Sequence, residues 1–253
     1  VRISLLGYGK VAKQIELQCK LQAIPIAQIY HRSAEKNNGY FINDLALLDL
    51  NTSLIIISTK DDAIAAIAAK INYLDIPIVH TSGTVSSDVL QNFKNYGVWY
   101  PLQTFKNNTT VNWENIPICI FSNTSFMKEI LLNFSKKFSQ KIYYIDDNQR
   151  NILHIAAVFG NNFFNQLLSY SEEILALKNI DKSILFPLLQ QTLENFKTDN
   201  AQNNQTGPAV RNDKDTLHQH ISILEQNDKS EIAEIYTFLS KKIQSQHNIF
   251  DEK

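Results

Sequence analysis

The segment Gly7-Tyr8-Gly9-Lys10-Val11-Ala12 constrains the fold more than any other stretch of this chain. It follows the apolar run Arg2–Leu6 and opens Lys10–Leu21, in which Val11, Ile15 and Leu17 recur at helical spacing. A strand that turns into a helix through Gly-x-Gly-x-x-Gly/Ala is the dinucleotide-binding pattern. The first glycine permits the tight turn, the second lets a pyrophosphate approach the backbone, and the small third residue lets the helix pack on the strand. The start of the helix then offers free N–H groups and a partial positive charge to the anion. The chain has only seven glycines, so two in this turn are unlike filler.

The first half continues the alternation. Ile26–Tyr30, Leu54–Ser58, Ile76–His80, Val98–Tyr100, Ile118–Phe121 and Ile142–Ile145 read as strands, with helices at Asp61–Tyr73 and Thr124–Phe138. Nearly continuous apolar strands suit a parallel sheet covered on both faces. A doubly wound α/β domain, Rossmann in type, is therefore expected over residues 1–146. Beyond Asp146 no strand is expected. One long buried helix (Asn151–Leu177), then Ile184–Phe196, Thr216–Glu225 and Ile232–Gln244, with a polar loop at Asn200–Pro208, form an all-helical domain over 147–253.

The second strand ends Ile29-Tyr30-His31-Arg32-Ser33. An NAD site would place an acid about 20 residues beyond the glycines to bind the ribose hydroxyls, yet the first acid here is Glu35. Arg32 can pair with a 2′-phosphate, Ser33 can donate to it, and Lys36 adds charge. NADP(H) is the expected cofactor and NAD(H) the alternative; an ordinary surface arginine is the competing reading. The expected cofactor contacts are Gly7, Tyr8, Gly9, Lys10, Val11, Ala12, His31, Arg32 and Ser33. Ser58, Thr59, Thr81 and Ser82 join them, because ligands of open α/β sheets sit beyond the carboxyl ends of strands. His80-Thr81-Ser82-Gly83-Thr84 and Tyr100-Pro101-Leu102-Gln103-Thr104-Phe105 are two such ends, and both are also common loop formers.

At 3.6 residues per turn, Arg150, His154, Asn161 and Asn165 fall within an arc of about 60° on an otherwise apolar helix. Unpaired buried polar groups cost about 1–3 kcal/mol each, so this stripe needs partners: a ligand, another domain or another subunit. His154 reads either as a satisfied core histidine or as a proton donor or acceptor. Gly160, in mid-helix, suggests a close approach at that point. Arg211, in Thr206-Gly207-Pro208-Ala209-Val210-Arg211-Asn212-Asp213, suits a substrate anion, while Asp213 or Asp215 suits a helix cap. His218 and His220 read as ordinary helix residues.

Composition narrows the classes. The net charge of −1 gives no global field for nucleic acid, and no apolar run approaches the ~20 residues of a membrane helix. Cys19 and Cys119 lie apart in apolar contexts, as in a reducing compartment. The N-terminal segment reads as a strand and not as a signal peptide, so a cytoplasmic protein is expected. No metal-ligand spacing, Gly-x-Ser-x-Gly elbow or phosphate-loop lysine motif is present.

Taken in order, several segments resemble one family over essentially the full length. They are Gly7–Ala12, His80-Thr81-Ser82-Gly83, Pro101-Leu102-Gln103-Thr104-Phe105, Arg150 with His154-Ile155-Ala156-Ala157-Val158-Phe159, Asn161-Asn162, and Thr206-Gly207-Pro208 followed by Arg211 and Asp213. The chain is similar to the Rossmann-like proteins, described as NADP oxidoreductases, that carry a C-terminal helical domain of unknown function. Wider relatives are pyrroline-5-carboxylate reductase, ketopantoate reductase, hydroxyisobutyrate dehydrogenases and deazaflavin-dependent NADP reductases. The resemblance implies a helical domain of the 6-phosphogluconate dehydrogenase type, a homodimer formed through it, and a small carbonyl, imine or hydroxy substrate bound in a cleft between domains. It places His154, Asn161 and Asn162 near the chemistry. Departures stand at Tyr100, where many members have His, and at Asn212, where Gly is common. The helix lysine of hydroxyisobutyrate-type enzymes is missing. A non-catalytic NADP-binding regulatory or scaffold protein remains the alternative function, and a flavin or deazaflavin partner enzyme a third.

Overall fold

A computed structural model describes residues 1–33, 39–72, 75–106, 109 and 111–247; Glu35 and Lys36 lie outside the described residues. The chain divides into two compact units, Val1–Val158 and Phe159–Lys253.

The first unit is built on an eight-stranded sheet in the order β3-β2-β1-β4-β5-β6-β7-β8. Its strands are β1 (Ile3–Leu6), β2 (Ile26–Tyr30), β3 (Phe41–Ile42), β4 (Leu54–Ile57), β5 (Ile78–His80), β6 (Tyr96–Pro101), β7 (Ile118–Ser122) and β8 (Ile142–Tyr144). Helices α1 (Lys10–Leu21), α2 (Asp61–Ala68) and α3 (Ser125–Ser135) cover it, and α4 (Asp147–Ala157) follows β8. Successive side chains of a strand point to opposite faces. Leu5, Leu54 and Ile56 accordingly pack with Ile15, Trp99 and Phe134 on one face. Leu6, Ile55 and Ile57 pack with Ile64, Leu90 and Phe93 on the other. The fold is the expected α/β Rossmann type.

Two features depart from a uniform parallel sheet. β3 is only two residues long and pairs with β2, too short to register as a hydrophobic pattern. β6 and β7 pair antiparallel, from Gly97 opposite Ser122 to Pro101 opposite Ile118. Among the described residues between them the connection holds a short 3-10 turn at Trp113–Asn115 and no α-helix, and a parallel connection needs a longer crossover.

The long helix expected over Asn151–Leu177 is interrupted. After α4 comes a π-helical stretch, Val158–Phe163, and then α5 (Phe164–Ala176). A π-turn inserts a residue into the helical ladder, so the spacing assumed for the polar stripe fails there. Nor is the helix buried. Ile152, Ile155, Phe159, Phe163 and Leu167 are exposed, as are Asn161, Asn162 and Asn165. Among the described residues, the helix's own backbone aside, nothing lies within 4 Å of where a Cβ would sit at Gly160.

The second unit contains α5, α6 (Phe186–Thr198), α7 (Lys214–Gln226) and α8 (Ser230–Gln246). Pro187 stands in the first turn of α6, where the missing N–H costs nothing. The core is small: Leu224, Ile232 and Ala233, packed with Tyr170, Ile221 and Tyr236. Neither α5 nor α6 has a buried residue.

Candidate functional site

The turn after β1 has the geometry its glycines suggest. Gly7 has φ +109°, and a Cβ there would lie 2.4 Å from the Ser58 carbonyl oxygen. Its N–H donates to the Tyr30 carbonyl at 2.9 Å, which ties the turn to β2. Gly9 is the N-cap of α1, and no side chain caps the helix. Around the Cβ position of Gly9 there is open space for 4 Å. The first turn of α1 carries no acid, so an anion there meets N–H donors and no repulsion. Ala12 is fully buried, which lets α1 approach β1. Lys10 is exposed and Val11 half-buried.

The Tyr8 side chain is engaged within the protein. Its hydroxyl donates to Glu16 Oε2 at 2.7 Å, and Tyr40 donates to Oε1 of the same carboxylate at 2.7 Å. Burial first, and then this acid, push the Tyr8 phenol up to about 12. The Tyr8 ring meets His31 and Phe41 edge-on at centroid distances of 5.9 and 5.2 Å. Tyr8 thus braces α1 against the end of β2. Arg32 and Ser33 are exposed in the turn after β2, and among the described residues Arg32 has no carboxylate partner.

At the central strand ends, Thr81 donates weakly to the Ile57 carbonyl (3.4 Å) and lies 3.5 Å from the Ser58 hydroxyl. Thr59 is half-buried beside Gly7. Ser82 is buried, and its hydroxyl accepts from Thr84 and Val85 N–H at 3.1 and 3.0 Å. That closes the loop after β5, so the Ser82 hydroxyl is committed to the protein.

Three residues from separate elements meet beyond this loop. The Tyr100 hydroxyl, on β6, lies 3.1 Å from Nδ1 of His154 on α4. Gly83 sits against both: a Cβ there would come within 2.6 Å of His154 Nδ1 and 3.0 Å of Tyr100 Cζ. Burial raises the Tyr100 phenol above its ordinary range. Sequence reading treated Tyr100 as a departure and did not pair it; a polar residue at a strand end was its only signal.

Arg150, expected to await a ligand or a partner, finds partners close by for two of its three nitrogens, while Nε has none among the described residues. It is 1% exposed, donates to Asp147 Oδ1 at 2.6 Å, and donates to the Val85 carbonyl. Asp147 Oδ2 accepts from Ser87 N–H (2.7 Å) and from the Ser86 and Ser87 hydroxyls (2.9 and 3.1 Å). This clamp fastens α4 to the loop after β5, and an Asp146–Gln149 capping box starts the helix. His80 lies beneath, fully buried; its Nδ1 accepts from Ser82 N–H at 3.2 Å, and among the described residues Nε2 has no partner in hydrogen-bond geometry. Burial, and secondarily the Arg150 charge, lower His80 to about 4, with Asp147, the Ser86 backbone and Asp61 pulling weakly the other way. Cys19 and Cys119 are free and buried, and burial raises their thiols to about 12 and about 11.

In the second unit, Arg211 is exposed in the loop before α7. Asp213 caps α7, accepting from Thr216 N–H and hydroxyl at 3.1 and 2.8 Å. Asn212 has φ +52°, a conformation that asparagine tolerates better than most residues, which accounts for its standing where Gly is common. His220 Nδ1 lies 2.8 Å from the Tyr236 hydroxyl. Among the described residues there is no cluster able to hold a metal ion and no helix long and apolar enough to cross a membrane.

A family model described as a domain of unknown function, DUF2520, matches residues 116–243, more than half of the chain. The chain belongs to this family. The DUF2520 chain is similar over 98% of its length to 98% of a Bacteroides fragilis protein provisionally assigned as an NADP oxidoreductase (28% identity, TM-score 0.85). Two more distant structures share the fold. One is a Plasmodium falciparum pyrroline carboxylate reductase with NADP bound (14% identity, TM-score 0.61, 98% of each chain). The other is a Myxococcus stipitatus imine reductase in complex with NADP+ (12% identity, TM-score 0.68, 98% of this chain and 96% of that one). Among curated proteins the sequence finds no match.

Proposed function

We propose that this DUF2520 protein is an NADP(H)-dependent oxidoreductase acting on a small carbonyl, imine or hydroxy compound. The observation that carries the reading is the Gly7–Gly9 turn, which has no room for a side chain at Gly7 and open space at Gly9 before an uncapped helix. That is a cradle for a diphosphate. The 28%-identical structure assigned as an NADP oxidoreductase supports the choice of cofactor, as does Arg32, which stands beside Ser33 and has no carboxylate partner among the described residues. An arginine fork binds a phosphate dianion in two places at once.

In this reading the backbone of residues 7–12 holds the pyrophosphate. Arg32 and Ser33 hold the 2′-phosphate, and Thr59 and Thr81 lie along the strand ends. The bound nicotinamide supplies or accepts the hydride. His154 donates or accepts the proton, while Asn161, Asn162 and Arg211 bind substrate. A second copy of the chain covers α5 and α6: Leu167, Ile174, Phe186, Leu188, Leu193 and Phe196 are all exposed, and apolar faces of this extent mark interfaces.

The test is a fluorescence titration of the full chain with NADPH and with NADH. Saturable NADPH binding, weakened at least tenfold by Arg32→Ala while NADH binding is unchanged, is the expected result. Absence of binding by both nucleotides at millimolar concentration rejects the proposal.

A further inference from the structure

The contact between Tyr100 and His154 fixes more than a position. Among the described residues the Tyr100 hydroxyl has one hydrogen-bond partner, Nδ1 of His154, and no hydrogen bond reaches His154 Nε2. A phenol can give or take a hydrogen bond, and a neutral imidazole carries one proton on one of two nitrogens. Burial holds the phenol in its neutral form. The hydroxyl proton of a half-buried tyrosine with a single neighbour goes to that neighbour, because an unused donor would cost about as much as a lost hydrogen bond. Nδ1 is then the acceptor and Nε2 carries the ring proton.

We infer that Tyr100 is a positioning residue that holds His154 in its Nε2–H tautomer, so that His154 acts as a proton donor through Nε2. Gly83 is part of the device: a side chain there would occupy the space of His154 Nδ1 and of the phenol carbon. The inference rests on the proposed role of His154 in reduction.

As the substrate carbon accepts hydride, the electron pair of its C=O or C=N bond takes the proton from Nε2. The phenol proton moves to Nδ1, leaving imidazole neutral. The phenoxide formed on Tyr100 is opposed by burial and favoured by the Arg150 charge, and it regains a proton from water. In the free protein the same geometry predicts a single imidazole tautomer, which is measurable without substrate.

The test is 15N NMR of the imidazole nitrogens in the full-length chain, with the His154 signals assigned from their loss in His154→Gln. Wild type is expected to show the Nε2–H tautomer. Tyr100→Phe removes the donor, and Gly83→Ala pushes the pair apart while keeping both groups; both are expected to give mixed tautomers, with the backbone spectrum otherwise preserved. An Nδ1–H tautomer in wild type, or a tautomer unchanged in a folded Tyr100→Phe, overturns the inference. NADPH titration of the same samples is read separately, so a failure to bind cofactor strikes the proposed function and not the tautomer.

Discussion

Acidification should destabilise the first unit through His80, by an amount the structure allows to be estimated. His80 is fully buried and its imidazole is lowered from 6.5 to about 4. Between those values the unfolded chain binds a proton that the folded chain refuses. Stability is therefore fully present above pH 6.5 and falls as the pH drops toward 4. Integrating the two titrations between about pH 7.5 and about pH 5 gives a loss of about 2 kcal/mol from this residue. The assay is urea unfolding followed by tryptophan fluorescence. Trp99 and Trp113 are the only tryptophans, and both are buried in the first unit, so the signal reports that unit alone. His80→Asn keeps an acceptor near Ser82 N–H but cannot titrate. It should be less stable at neutral pH and lose about 2 kcal/mol less than wild type on acidification. Asp147 and Glu16, whose carboxyls are held below their ordinary range, contribute to both proteins and cancel. Equal losses in the two proteins would refute the reasoning.

Gly7→Ala and Gly9→Ala should separate folding from binding. The first forces a Cβ against the Ser58 carbonyl at a positive φ and should lower stability by about 1–3 kcal/mol in the same unfolding assay. The second has space, so it should leave stability unchanged and weaken NADPH at least tenfold by titration. Arg150→Met strands the Asp147 carboxylate and should cost about 3 kcal/mol, read by urea unfolding. Leu188→Lys on the exposed face of α6 should shift a dimer to monomer in analytical ultracentrifugation at an unchanged helical signal by circular dichroism.

Much of the fold was legible because burial imposes a local pattern. Ile3–Leu6 and Leu54–Ile57 are apolar at every or nearly every position because both faces of the sheet are covered, and α1 and β2 were read with the bounds the structure has. What escaped was set by distant contacts or by backbone detail. The β6–β7 reversal depends on a connection in which the described residues form no α-helix. The π-turn at Val158–Phe163 changes spacing without changing composition. The helices from Ile152 to Phe196 look like core by composition, yet within one chain their apolar side chains are exposed. In the candidate site, the role of Gly7 followed from local sequence. The partner of Tyr100, His154, stands 54 residues away, and one partner of Arg150, Val85, stands 65 residues away, so neither pairing could be read from local sequence. Asp213 as a helix cap was readable, since its partner is only three residues on.

The two outer strands carry a consequence of their own. β3 offers two residues and β8 three, too short a ladder of free amides and carbonyls to template the strand of a neighbouring molecule. A sheet that is long and apolar at its centre but clipped at each margin resists fibrillar stacking.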